Sequence, residues 1–173
     1  MLDIVRSEDN LLIVIDKIRN NLASATTYAE ILEVKDQTSL IYDRIKSEIK
    51  IAKKKEARDD IIKVARQTQG DIALMILRAE SRLAKEYDLA KQRGEVANEG
   101  RPIVQKQIEI PENPGITTIQ CDLGIDSRRL SEARKFNEFD EAHPGKAEEF
   151  VYSIIEEGEE PTKASINQKI KDI

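Results

Sequence analysis

Apolar side chains recur every three or four residues over the long stretch 37–94, which is the period of a helix with one buried face. The stripe weakens in the polar segment 53–60. It also meets a glycine at position 70, which costs a helix about 1 kcal/mol relative to alanine. We predict a break at one of these two places and favour Gly70, because Asp71 can cap a new helix. The stretch then forms an antiparallel helical hairpin or a long kinked coiled coil.

Composition favours helices over sheets throughout the chain. Apolar residues make up 39% of the sequence and charged residues 35%, with four Tyr, three Phe and no Trp. This balance suits long exposed helices better than a deep core. We predict an all-α protein with an N-terminal helical region at 1–94, a linker at 95–114 that lies between Gly94 and Gly115 and holds one glycine and three prolines, and a helix-turn-helix module with two following helices at 115–173.

Capping residues mark the other predicted helices. The first helix is expected to open at Ser7. Thr27 and Glu30 form a capping box ahead of a helix that either breaks near residues 35–36 or runs on. In the C-terminal part, we predict a helix over 146–156 and a final helix capped by Thr162. The final helix turns Ile166, Ile170 and Ile173 inward.

Residues 116–137 have the layout of a DNA-binding helix-turn-helix. A short helix over 117–123 precedes Gly124, where the chain can bend without a Cβ penalty. A second helix then turns Leu130 and Ala133 inward. Gln120 departs from the pattern, since alanine is usual where the two helices approach. The alternative is a plain helical hairpin inside a bundle.

The second helix of this motif carries the candidate contacts to double-stranded DNA. They are basic or hydroxyl side chains that can reach bases or phosphates: Arg128, Arg129, Ser131, Arg134 and Lys135. Arginine suits the task because its planar fork matches guanine O6 and N7, or a phosphate. The formal net charge of −5 argues against a protein coated with nucleic acid but allows a local basic face. The segment 138–160 holds nine acidic residues and one lysine, so DNA should not approach there.

The sequence lacks the motifs of the common active sites and cofactor sites. It contains no GxxxxGK[ST], GxGxxG, HExxH or CxxC, so we expect no enzyme activity, cofactor or metal. Cys121 is the single cysteine, which excludes an intrachain disulfide and favours a cytoplasmic protein. No run of eighteen apolar residues occurs, so we expect no membrane-spanning helix.

Two further features of the helical region bear on partners. Residues 46–66 hold eight basic and four acidic residues, which indicates either a solvated helix face or contact with phosphates. The region 61–90 carries a wide apolar stripe with near seven-residue spacing, which predicts a homodimer. The stripe consists of Ile62, Ala65, Ile72, Ile76, Ala79 and Leu83.

Three segments resemble a largely uncharacterised family of small helical proteins from phages, prophages and integrative elements. They are ILEVKDQTSLIYDRIK at 31–46, ILRAESRLAKEYDLAKQRG at 76–94, and DLGIDSRRLSEARKFNEF at 122–139, which EPTKASI follows at 160–166. The third segment is the specific one. The resemblance implies a DNA-binding or accessory protein of a mobile element. Together with the motif, it leads us to expect a DNA-binding protein that controls transcription or replication. The alternative is a protein-interaction factor, for example one that counters host defence or binds a host or phage protein through the helical region.

Overall fold

Six helices follow one another in the computed structural model, which describes residues 3–93 and 127–172. They are α1 (Asp3–Ser24), α2 (Tyr28–Lys54), α3 (Asp59–Gln92), α4 (Ser127–Ala142), α5 (Lys146–Glu156) and α6 (Lys163–Lys171). No strand occurs in the described residues. The all-α prediction is confirmed for this part of the chain, and no helix in it is long and apolar enough to cross a membrane.

The predicted helical hairpin is formed by α2 and α3, and its turn lies in the polar segment 53–60. The Ala57 N–H donates to Ala52 O at 3.0 Å, and Glu56 takes a left-handed conformation with φ of 53°. The chain turns here because the apolar stripe is interrupted, so a further turn of α2 would bury no apolar side chains. The favoured break at Gly70 is wrong, since α3 continues through it without interruption.

Gly70 is required by packing and not by a turn. A Cβ at this position would lie 2.2 Å from Val151 Cγ1 and 3.3 Å from Pro161 Cβ. The missing side chain therefore lets α5 and the residue before the α6 cap approach the α3 backbone closely. This packing outweighs the helix penalty of about 1 kcal/mol, because two buried side chains depend on it.

Helix α3 lies between two layers and is buried on both sides through its middle. On one side, apolar residues of α1 and α2 pack against Ile72, Met75, Ile76, Ala79 and Leu83 of α3. On the other side, a second cluster joins α3 to the three C-terminal helices; it comprises Ala73, Leu74, Leu77, Phe136, Ala147, Val151, Ile154, Ile155 and Ile166. The consecutive run 72–77 is accordingly buried at every position.

The start of α2 is confirmed and the start of α1 is not. Thr27 and Glu30 form the predicted capping box, with the Glu30 N–H donating to Thr27 Oγ1 at 3.3 Å and the Thr27 N–H donating to Glu30 Oε2 at 3.0 Å. Helix α2 runs on past residues 35–36. Helix α1 begins at Asp3, so Ser7 lies inside the helix and the predicted start there is wrong.

The two short C-terminal helices agree with the sequence. Helix α5 has the predicted bounds, and Thr162 caps α6 by accepting from the Ser165 N–H at 3.0 Å. Ile166 is fully buried and Ile170 packs partly against the same cluster, while Ile173 lies outside the described residues.

The stripe that predicted a homodimer is covered inside one chain. Ile72, Ile76, Ala79 and Leu83 are buried against α1 and α2, and Ile62 packs partly buried beside them with Ala65. Association through this stripe would require the hairpin to open. The homodimer stays a prediction, but this stripe cannot form its interface while the hairpin is closed. The predicted boundaries at 94 and 115 lie outside the described residues, so the division into domains also stays a prediction.

Candidate nucleic-acid interface

Helix α4 is the second helix of the predicted helix-turn-helix, and it is held against α3 by one apolar stripe. Leu130, Ala133 and Phe136 are spaced three apart and are all buried. The inward placement of Leu130 and Ala133 is therefore confirmed. The first motif helix at 117–123 and the turn at Gly124 lie outside the described residues, so the complete motif stays a prediction.

Polar contacts show how closely α4 approaches α3 and in which direction it runs. The buried Ser81 hydroxyl lies 3.1 Å from Ala133 O on α4 and 2.9 Å from its own helix at Leu77 O. A small side chain at position 81 allows this approach. Arg78 lies three residues before Ser81 in α3, and its partner Asp140 lies seven residues after Ala133 in α4. The two helices are therefore antiparallel, and the start of α4 lies near the end of α3.

Arg134 faces α3 and not the solvent side of α4. Its Nε donates to Asp88 Oδ2 at 2.9 Å and its Nη2 donates to Asp88 Oδ1 at 2.5 Å. These hydrogen bonds to the Asp88 carboxylate raise the pKa of Arg134, although desolvation opposes them. Arg134 and Leu130 are four residues apart and share one side of the helix. A DNA contact by Arg134, which stays a prediction, would require this ion pair to break.

The other four predicted contact residues project into solvent. Arg128, Ser131 and Lys135 follow one another at spacings of three and four, which places them on one side of α4, and Arg129 flanks them. Arg128 Nε lies 3.2 Å from Glu132 Oε1, with 83% of the arginine side chain exposed. Such an exposed pair contributes less than about 1 kcal/mol. A stronger anion can therefore compete with Glu132 for this guanidinium.

Charge is divided along α4. Residues 128–135 hold four basic side chains and one acidic side chain, whereas residues 136–142 hold three acidic side chains and no basic one. The basic half is also the N-terminal half, where the helix dipole adds partial positive charge. The charge that could attract a polyanion therefore lies in the first two turns of the helix.

The acidic half of α4 is engaged by α3. Arg78 donates from Nε to Asp140 Oδ2 at 3.0 Å and from Nη2 to Glu148 Oε1 on α5 at 2.8 Å. Lys85 Nζ pairs with Glu141 Oε1 at 2.5 Å. These carboxylates fix the position of α4 and α5. The roles of Arg78 and Asp88 are not predictable from the sequence, since both residues lie among ordinary charges of a long helix.

No protein-family model, no curated protein and no solved structure matches this chain. The resemblance to mobile-element proteins therefore stays a prediction. The described residues contain no group of three or more His, Cys, Asp and Glu side chains that could hold a metal ion.

Proposed function

We propose that this protein binds double-stranded DNA through the N-terminal, outward half of α4 and controls transcription or replication in a phage or mobile element. The observation that carries the proposal is the placement of Arg128, Arg129, Ser131 and Lys135 together on the solvent side of a helix whose other side is fixed to α3. A recognition helix presents its N-terminal residues to base edges and needs a rigid support behind it.

The exposed residues divide by position into base contacts and phosphate contacts. Arg128 and Ser131 are three apart near the start of α4, so both can point into the major groove. The Arg128 fork suits guanine O6 and N7, and the Ser131 hydroxyl can donate to or accept from a base edge. Arg129 flanks this pair and Lys135 follows one turn later, where they can reach phosphates on either side of the groove.

The acidic half of α4 limits the interface. The basic half spans eight residues, or about 12 Å of helix, which suits a few base pairs. Exposed carboxylates of the second half, at Glu138 and Glu141, exclude phosphates from that end. DNA must therefore approach near the C-terminal end of α3, where α4 begins.

A fluorescence anisotropy titration tests the proposal with DNA fragments selected by the full-length protein from a random pool. Arg128→Ala should weaken binding by about 1–3 kcal/mol and relax the sequence preference. Arg44→Ala is a matched control, because Arg44 is 71% exposed and its Nε lies 3.0 Å from Glu48 Oε1, an ion pair of the same spacing. The control should bind like the parent. Equal losses in both variants, or no binding by the parent at low salt, would contradict the proposal.

A protein-interaction factor is the second candidate, and one observation favours it. Leu40 is 72% exposed and Ile51 is 51% exposed on α2. They are eleven residues apart, so they share one side of the helix at a separation of about 16 Å. A helical region with such a side can dock a host or phage protein. This candidate takes precedence if the folded parent binds no DNA.

A further inference from the structure

A small basic pocket lies where α2, α3 and the segment before α6 meet, far along α3 from the basic half of α4. Lys46, Lys50 and Lys53 of α2 line one wall, and Arg66 with Gln69 of α3 lines the other. Glu160 closes the end. The pocket encloses about 200 Å³. The tertiary fold thus brings together cations that are spread over some twenty positions of the sequence.

Three of the four cations form no salt bridge with another described residue. Lys50, Lys53 and Arg66 have no carboxylate oxygen of a described residue within 4.0 Å, although the charge of Lys53 acts on Glu160 from a longer distance. Lys50 and Lys53 are three residues apart and point to the same side of α2, and Arg66 comes from the facing helix. Mutual repulsion of these charges is relieved when an anion enters the pocket.

The one carboxylate of the pocket already has partners of its own. Glu160 Oε1 accepts from Lys46 Nζ at 2.9 Å and from Gln69 Nε2 at 2.8 Å, and Gln69 is only 1% exposed. Its negative charge is therefore balanced mainly by Lys46, with a smaller contribution from the charge of Lys53. The remaining three cations give the pocket a net positive charge toward a ligand.

A wider groove continues from the pocket and shares Lys53 and Arg66 with it. This groove encloses about 690 Å³ and adds the apolar side chains of Ile62 and Ile155. Carboxylates also line it, Asp59 and two glutamates among them. Such groups accept hydrogen bonds from hydroxyls but repel further phosphates. The basic pocket and the mixed groove thus suit different parts of one molecule.

We propose that this end of the hairpin binds a small phosphorylated molecule, independently of DNA. Its phosphate lies in the pocket against Lys50, Lys53 and Arg66, with the Arg66 fork donating to two phosphate oxygens. The organic part lies in the groove, where Asp59 accepts from its hydroxyls. A pocket of 200 Å³ is below the range of about 300–1,000 Å³ for whole drug-sized ligands, so it fits the phosphate group and not the entire molecule.

The test is a titration of the full-length protein, followed by the amide NMR signals of Ile49 and Gln69. Inorganic pyrophosphate should shift these signals saturably, whereas sodium chloride at the same ionic strength should not. Ribose 5-phosphate should bind more tightly than inorganic phosphate because its sugar fills the groove. Arg66→Gln should weaken pyrophosphate binding at least about tenfold, because the positive charge is lost and at most one of the two hydrogen bonds can be kept by the glutamine amide.

Lys54→Gln is the matched control, since Lys54 is exposed next to Lys53 but lines neither cavity. It should bind pyrophosphate within about twofold of the parent, with both variants folded by circular dichroism. An equal loss of pyrophosphate affinity in the two variants would show that the anion is attracted by the general positive charge of the surface, and would overturn the proposed site. The proposal also fails if pyrophosphate shifts nothing, or if a DNA duplex shifts the same signals in the Arg128→Ala variant, which would make the pocket a DNA backbone contact.

Discussion

Arg134 on α4 and Asp88 on α3 form a two-point ion pair, with Nε–Oδ2 and Nη2–Oδ1 distances of 2.9 and 2.5 Å. The pair fixes the rotation of α4 about its own axis, because Arg134 lies on the same side as Leu130 and Ala133. Arg128, Ser131 and Lys135 are thereby turned outward. Arg134, which the sequence predicts as a DNA contact, thus positions the other predicted contact residues.

Replacing Arg134 by alanine should lower the free energy of unfolding by about 0.5–1 kcal/mol. The pair is partly exposed, which keeps its contribution small, but its two hydrogen bonds make it stronger than an ordinary surface pair. Arg134→Lys should not restore the loss, because an ammonium cannot make both parallel hydrogen bonds. Urea unfolding followed by circular dichroism measures both variants. An unchanged midpoint for Arg134→Ala would show that α4 is held by apolar contacts alone.

Replacing Gly70 by alanine should destabilise the protein by about 1–3 kcal/mol through overpacking, although the same change stabilises most helices. The new Cβ would meet Val151 Cγ1, so Val151→Ala should make room for it. In a double-mutant cycle measured by urea unfolding, the two changes together should cost clearly less than their sum. Additive losses would contradict the close approach of α5 to α3.

The partly buried carboxyl group of Asp71 should make the free energy of unfolding depend on pH in an unusual direction. Desolvation raises its pKa above the ordinary 3.8, although a hydrogen bond from Gln67 opposes this. The folded protein therefore holds this proton more tightly than the unfolded chain, and the stabilisation present below pH 3.8 is lost as pH rises through the folded value. Asp71→Asn should raise the free energy of unfolding at pH 7, with the gain shrinking in acid.

The control for this change is Asp43→Asn, at an exposed position of α2. It should not produce a gain of the same pH dependence. Chemical unfolding of the parent and both variants at several pH values gives the comparison. A lower stability of Asp71→Asn at pH 7 would show that the ionised carboxylate is stabilising and would contradict the role of desolvation.

Self-association through the region 61–90 now depends on its exposed apolar residues. Val64 is 56% exposed, whereas Leu83 is fully buried against α1 and α2. We expect Val64→Asp to abolish the predicted homodimer without unfolding the chain, and Leu83→Ala to cost about 2–5 kcal/mol of stability without changing the mass. Sedimentation equilibrium at tens of micromolar protein measures the molecular mass of the parent and both variants. A monomeric mass for the parent would rule out the homodimer.

Local signals predict two of the three capped helix starts, and the start at Ser7 is wrong because α1 already begins at Asp3. The capping box of Thr27 and Glu30 and the cap at Thr162 are read from three or four neighbouring residues, and both are confirmed. The predicted break at Gly70 is wrong because the glycine is required by its contact with Val151, which is distant in sequence. Periodicity predicts an apolar stripe on α3 but not what covers it, which could be α1 and α2 of the same chain or a second chain.

The candidate site was predictable in part for the same reason. Helical spacing from Leu130 and Ala133 correctly placed Arg128 and Ser131 on the outer side of α4. The partner of Arg134 was not predictable, because Asp88 belongs to another helix. The basic pocket around Arg66 likewise forms only when α2 and α3 fold back on each other and Glu160 closes it.

The most direct test of the DNA-binding account is the salt dependence of binding by the double variant Arg129→Gln, Lys135→Gln. Both side chains are assigned to phosphates, so the slope of log Kobs against log salt concentration should be smaller than that of the parent by about two units. Arg44→Gln should keep the parent slope. A slope unchanged in the double variant would show that α4 does not meet the DNA backbone and would contradict the account.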